Sequence, residues 1–349
     1  MRLRALLVTD TRLTYRHAGV DRATIATMLA AARAQIRSTF TPEVLSDLGH
    51  FGGLWHLRGY RDPVLVSTID GVGSKVLLAA EAGRLDVVGQ DVVVHGVNDV
   101  AVLGATPLCM LDYVAGARLD ASAVAAIMDG IVTACRREGV ALVGGETAQM
   151  PGVYTSAGLD VVGCVVGVVE RDGICDGSAI RPGDAGVGLA STGLHTNGYS
   201  LAREVMARRG WALQEMPPEL GTTLGEALLA PHRSYRRPLR ALADARWLRG
   251  AAHVTGGGVP GNLVRILPLQ CRAVIDTSAW NVPPIFEVLR RAGKIARDEM
   301  FQTFNMGVGM IAVVPADRAG LAVDICRANG TEAWVIGEIV SGGRGVELR

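Results

Sequence analysis

The segment Pro63 to Ala82, PVLVSTIDGVGSKVLLAAEA, constrains the fold of this chain more than any other. Val64 to Thr68 is rich in β-branched residues that suit a pleated surface, so a strand is expected there. It ends on a carboxylate, Asp70, and turns through Gly71 and Gly73, which tolerate backbone angles that other residues resist. A helix follows, with Lys75 in its first turn. A carboxylate and an ammonium flanking a glycine turn, beside the free N–H groups of a helix start, suit a metal-bound phosphate. An ordinary strand-to-helix connection with a surface lysine carries the same residues, so the segment fixes a local fold and leaves its chemistry open.

The 349 residues suffice for two domains of ordinary size. A net charge of +1 supplies no broad electrostatic attraction to nucleic acid or an anionic membrane. The basic side is almost all arginine; Lys75 and Lys294 are the only lysines. The six cysteines, at 109, 135, 164, 175, 271 and 326, form no CxxC pair and lie mostly among apolar residues. They read as core residues rather than as a zinc cluster or disulfide framework. The opening MRLRALLVTDTRLTYRH has too few apolar residues for a signal peptide or membrane span, so a cytoplasmic location is expected.

A helix is expected over Asp21 to Ile36, with Ile25, Met28, Leu29 and Ala32 on one face. LGHFGG, Leu48 to Gly53, suits either a mobile lid or a plain connector. The segment from Val87 to Ala105 is ambiguous, because its valines favour strand while its polar residues keep helical spacing. Asp91, His95, Asn98 and Asp99 lie at i, i+4, i+7 and i+8, one stripe on a helix. Facing inward, such a stripe needs a metal, a substrate or partners; facing outward, it is a solvated face. Strand Leu108 to Val114, helix Asp120 to Glu138, strand Val140 to Val143 with Glu146 at its end, and strand Leu159 to Glu170 complete an α/β first half.

Turn residues after Arg171 mark the expected boundary between domains 1–170 and 171–349. The second half alternates strands and helices: strand Ala185 to Ala190, helix Tyr199 to Arg209, strand Ala273 to Asp276, helix Pro284 to Arg291, strand Met306 to Val314, helix Ala316 to Asn329, strand Glu332 to Val340. Two of its loops are polar and glycine-rich. STGLHTNG carries His195 and Asn197, and AHVTGGGVPGN carries His253, Thr255, Gly256, Gly257 and Gly258. Backbone N–H groups left uncovered in such loops favour close ligand approach, although loops of this composition also serve as plain turns.

In order and spacing, YRHAGVD, STFTPEV, VSTIDGVGSK, GVNDVAVLGATPL, LDYVA, VGGETAQMPGVY, STGLHTNGYSL, AHVTGGGVPGN and EMFQTFNMGVGM resemble the phosphoribosylformylglycinamidine cyclo-ligase family over nearly the whole chain. These are the aminoimidazole ribonucleotide synthetases of purine synthesis. The resemblance implies an α/β fold of two domains, an N-terminal domain that pairs in a homodimer through a shared β-barrel and a C-terminal domain with a mixed sheet flanked by helices. It implies ATP and Mg²⁺, a nucleotide substrate, and a cleft between the domains. By resemblance Asp70 and Asp99 hold metal; Arg33, Asp70, Gly71, Gly73, Lys75 and Asn98 bind ATP; Asn197, Thr255, Gly256, Gly257 and Gly258 bind substrate. Lys75, Glu146, His195 and His253 become the catalytic candidates. His17, His50, His56, His95 and His232 have no family role, and histidines in such positions are mostly structural or solvent-facing.

Five positions depart from the family pattern. Arg33 and Arg37 stand where lysines are usual, His50 interrupts a glycine and phenylalanine loop, Gln149 replaces a common Glu and Gln302 a common Arg. Arginine keeps the charge but not the compact geometry of an ammonium. Two alternatives follow: a related ATP-dependent phosphotransferase with another substrate, or a non-catalytic ATP-binding scaffold.

Overall fold

The structure is a computed structural model, described here over residues 13–155 and 158–349. The reading of the opening segment therefore falls largely outside the described residues. In the first half, strands β1 (Pro63–Gly71), β2 (Thr106–Gly116), β3 (Ala141–Gln149) and β4 (Leu159–Glu170) form one open sheet in the order β1-β4-β2-β3. Among these four strands only the β2–β3 pair is parallel. Helices α1 (Arg22–Arg37), α2 (Lys75–Glu81), α3 (Leu85–Ala101) and α4 (Ala121–Glu138) belong to the same half. Local chemistry sets their ends: the Asp21 carboxylate accepts from the Thr24 amide, Asp120 accepts from the Ser122 and Ala123 amides, and left-handed Gly139 stops α4. Leu29, expected on the buried face of α1, is exposed, and Ile36 is buried in addition to Met28 and Ala32.

The ambiguous valine-rich segment is the helix α3. Its valines at 87, 88, 92, 93, 94, 97 and 100 are buried around most of its circumference, so tertiary burial overrides their strand preference. One side meets the sheet and another meets α4 at backbone contact. A Cβ on Gly89 would lie 2.0 Å from the Ile127 carbonyl oxygen, and one on Gly130 would lie 2.0 Å from that of Asp86. The third side, the polar stripe, faces the second half.

That half is built on a mixed six-stranded sheet of β5 (Asp184–Ala190), β6 (Gly250–His253), β7 (Cys271–Ile275), β8 (Val308–Pro315), β9 (Ala333–Ser341) and β10 (Gly345–Leu348), ordered β10-β7-β9-β5-β8-β6. Its helices are α5 (Tyr199–Arg209), α6 (Leu224–Leu228), α7 (Arg236–Asp244), α8 (Gly258–Leu263), α9 (Pro284–Gly293), α10 (Arg297–Thr303) and α11 (Ala319–Ala328). The alternation of β8 sends Met310, Ala312 and Val314 to a core with α7 and α11, and Ile311 and Val313 to the core on the other face. Cys135, Cys271 and Cys326 are buried, while Cys109, Cys164 and Cys175 are partly covered; all six are free thiols.

Candidate active site at the junction of the two halves

Every member of the polar stripe on α3 bonds to the second half. Asp91 Oδ1 accepts from the His232 amide at 2.8 Å. His95 Nδ1 meets Thr196 Oγ1 at 2.9 Å. Asn98 donates to the Arg233 carbonyl and accepts from the Tyr235 amide, at 2.9 and 2.8 Å. Asp99 Oδ1 lies 2.7 Å from His253 Nδ1. The inward reading of the stripe is the right one, and these partners are why the burial is tolerated.

Asp70, at the end of β1, reaches the same place. Its Oδ1 accepts from the Gly71 amide at 2.7 Å and its Oδ2 lies 2.9 Å from His95 Nε2. Asp99 Oδ2 is 3.6 Å from that same nitrogen and accepts from the Thr68 hydroxyl at 3.2 Å. The hydrogen bond from His95 is the largest effect holding the Asp70 carboxyl below its usual range. Burial pushes Asp99 up, but His253 and His95 outweigh it and hold that carboxyl low as well. Burial also opposes a charge on His95, yet Asp70 and Asp99 raise it toward the imidazolium form. Two carboxylates converging on one imidazole nitrogen supply oxygen ligands of the kind a hard divalent cation takes, so these residues fit Mg²⁺.

Lys75, which the resemblance sets beside the phosphates, is fully buried. Its ammonium lies 2.5 Å from Asp91 Oδ2 and 3.0 Å from each of the His195 and Ala230 carbonyls. All three donors face protein, so this lysine clamps the first half to two loops of the second. Asn98, expected at the nucleotide, is likewise fully buried and occupied by the second half. The turn bearing Gly71 and Gly73 meets the start of α5, where Ser74 and Ser200 hydroxyls are 3.2 Å apart.

His95 and His232, to which the resemblance assigns no role, sit at the centre of this junction. Four of the seven histidines are gathered there: His95 and His253 ring centroids are 5.0 Å apart, and His195 stacks on His232 at 4.0 Å. Nε2 of His232 and His253 are 3.1 Å apart. Burial drives His195, His232 and His253 toward the neutral form. Asn197 Nδ2 donates to Thr196 Oγ1 at 3.3 Å.

The glycine loop after β6 is braced by the buried Asn262 side chain, whose amide donates to the Gly256 and Gly258 carbonyls at 3.2 and 2.8 Å. Thr255 Oγ1 donates to Asn262 Oδ1 at 3.3 Å. The three glycines expected at the substrate differ in what they offer it. Gly256 and Gly257 are exposed, and Gly257 caps the start of α8 in the left-handed region, at φ +95°. Gly258 is buried, with φ +59° and no room for a Cβ, which would lie 1.8 Å from the Phe301 carbonyl oxygen. Gly256 and Gly257 thus leave their backbone open to solvent, whereas Gly258 allows close packing under the loop.

Arg33 and Glu146 go elsewhere, to a cavity of about 600 Å³ between α1, the 48–53 loop and β2–β3. Glu146, expected at a strand end, lies within β3 and is exposed. Arg33 bonds Asp47 Oδ2 at 3.0 Å and the Leu48 carbonyl at 2.9 Å, and Arg37 pairs with the same Asp47. His50 lines the cavity, and Gln149 accepts from the Asp21 amide at 3.2 Å. Asp112 of the LDYVA stretch also lines it and was not singled out from sequence. Burial, with the Glu146 charge adding to it, pushes the Asp112 carboxyl up to about 7. The strand register places Asp70, Gly163, Asp112 and Gly145 in one row across the sheet, so Asp70 and Asp112 are two strands, about 10 Å, apart.

Comparison with solved structures finds a thiamine-monophosphate kinase from Stenotrophomonas maltophilia K279a at TM-score 0.70 and 19% identity, covering 92% of this chain and 95% of that one. The hydrogenase maturation protein HypE in complex with ATP follows at TM-score 0.66 and 18% identity, covering 93% and 88%. At these identities the likeness is one of fold. Sequence matches are closer. Residues 56–169 match the family described as AIR synthase related protein, N-terminal domain, and residues 181–348 match its C-terminal domain. A phosphoribosylformylglycinamidine cyclo-ligase from Anaeromyxobacter sp. (strain Fw109-5) is 47% identical over 95% of this chain and 96% of its own length. One from Citrifermentans bemidjiense is 46% identical over 97% of this chain and 98% of its own. Both halves of the sequence thus match, and the chain belongs to the phosphoribosylformylglycinamidine cyclo-ligase family.

Proposed function

We propose that the chain closes the imidazole ring of aminoimidazole ribonucleotide from phosphoribosylformylglycinamidine at the expense of ATP. The observation that carries this reading is the convergence of Asp70 and Asp99 at the junction, with two glycine-rich loops of the second half alongside. In the reaction, the formyl oxygen takes the γ-phosphoryl group of ATP and ADP leaves. The ribosyl-bearing nitrogen then attacks that carbon, and the oxygen departs as phosphate. Phosphoryl transfer depends on positioning and charge neutralisation more than on covalent chemistry, so no protein nucleophile is needed.

Asp70 and Asp99 would hold Mg²⁺, which when bound neutralises the triphosphate charge. Gly71, Gly73 and the start of α2 offer backbone N–H groups to the phosphates. His253, oriented through Nδ1 by Asp99, presents Nε2 to the junction. The loop of Asn197 and the loop of Thr255, Gly256 and Gly257 border the substrate side, and the Lys75 clamp holds the His195 loop in place. Arg33, Glu146 and the cavity beneath the 48–53 loop contribute to the nucleotide site. In domain terms, 1–170 binds ATP and pairs with a second copy, while 171–349 supplies the substrate loops.

The pairing surface is the outer face of the first sheet, where Leu65, Ile69 and Leu111 are 62%, 70% and 40% exposed. Two such open sheets facing each other would enclose these side chains and make the shared barrel. Incubation with phosphoribosylformylglycinamidine, ATP and Mg²⁺ tests the activity. ADP and aminoimidazole ribonucleotide should appear in equal amounts, and ATP consumption with no aminoimidazole product would refute it.

A further inference from the structure

His195, His232 and His253 all come from the second half, and all three are buried. One ring nitrogen of each lies within 4.8 Å of the other two. The closest pair, Nε2 of His232 and of His253, is 3.1 Å apart. That approaches the edge of about 3.3 Å expected of a tetrahedron with imidazole bonds of 2.0–2.1 Å. Asp99 accepts at His253 Nδ1, which keeps the proton on that nitrogen and leaves the Nε2 lone pair turned toward the cluster. A carboxylate behind an imidazole in this way is how metal-ligating histidines are oriented. Nδ1 of His195 and of His232 are buried with no hydrogen-bond partner among the described residues. With Nδ1 unpartnered, each of these two rings can carry its proton there and keep Nε2 free for a cation.

We propose that His195, His232 and His253 form a second metal site that takes a transition-metal cation such as Zn²⁺. Neutral imidazoles are the ligands such ions prefer, whereas Mg²⁺ prefers the carboxylate oxygens of Asp70 and Asp99, so the two sites differ in chemistry as well as position. Three protein nitrogens leave a fourth position for water. A metal that takes His195 Nε2 displaces only the Thr192 amide, which donates to it across 3.2 Å. Asp99 serves both sites, as ligand to one and as the orienting group of the other. The two cations therefore oppose each other, and by linkage each weakens the other's binding equally.

The test is metal content of the whole chain, independent of activity. Chelator-stripped protein is incubated with Zn²⁺ alone, passed through a desalting column and analysed for zinc. About one zinc per chain is expected in the wild type and at least about tenfold less in His232→Gln. His17, His50 and His56 remain in both proteins and control for surface binding. A wild type that retains no zinc, or a variant that retains as much as the wild type, overturns the site. If the variant fails to fold, the wild type decides: Zn²⁺ should shift the ring ¹⁵N resonances of three histidines together, and unshifted resonances overturn the proposal.

Discussion

Among single residues, Asp70 carries the charge that the proposed phosphoryl transfer would need. Asp70→Asn keeps shape and its bond from the Gly71 amide but removes a charge. The variant should fold with a melting temperature near that of the wild type and lose on the order of 100-fold to 1,000-fold in turnover. Near-normal turnover would end the metal role of Asp70. Asp112 makes a prediction in pH. Its carboxyl is neutral in the folded chain up to about 7, while in the unfolded chain it ionises in the ordinary carboxylate range. Folding therefore binds a proton between those values, and the Asp112 contribution to stability falls as pH rises from about 4 to 7 and is level above. Asp112→Asn should remove that fall and stabilise the protein at pH 8 by up to roughly 4 kcal/mol, read from urea midpoints at pH 5 and pH 8. An unchanged difference between the two pH values would contradict a neutral Asp112. Sequence alone made Asp70 and Asp99 conspicuous, since one ends a strand before a glycine turn and the other closes a polar stripe. Nothing local marks His232 or Asp112, because their character comes from burial by chain more than twenty residues away. The run Gly256, Gly257 and Gly258 was legible as a flexible loop, but the close packing of Gly258 depends on Phe301, which only the fold brings beneath it.

Among the elements, α3 joins the parts. Its helical spacing was legible in Asp91, His95, Asn98 and Asp99, but its valines argued for strand, and only the second half, packed on the stripe, decides the matter. The strand Leu159 to Glu170 and the helix Tyr199 to Arg209 were readable to the residue, because turn residues or glycines bound them on either side. Helices α6, α7 and α10 and strand β10 were not read, being five, nine, seven and four residues long with too few apolar positions to establish a period. Backbone contact between α3 and α4 gives a sharp prediction. Gly130→Ala places a methyl against the Asp86 carbonyl and should destabilise by about 3 kcal/mol or more. Gly139→Ala, with φ +69° and open space around it, should cost about 1 kcal/mol. Equal losses in urea titrations of the two variants would contradict the close packing.

On the scale of the whole molecule, the exposed face of the first sheet should be covered by a second copy. Ile69→Glu puts a charge on that face and should convert a dimer to a monomer in light scattering at micromolar concentration, without loss of helical signal. A wild-type monomer under the same conditions would contradict the pairing. No helix among the described residues is long and apolar enough to cross a membrane. Activation of the formyl oxygen by phosphorylation, so that ring closure can expel it, is tested with phosphoribosylformylglycinamidine labelled with ¹⁸O in the formyl group, with unlabelled ATP and water, and mass analysis of the phosphate released. One ¹⁸O atom is expected in each phosphate formed; unlabelled phosphate alongside the aminoimidazole product would overturn this mechanism.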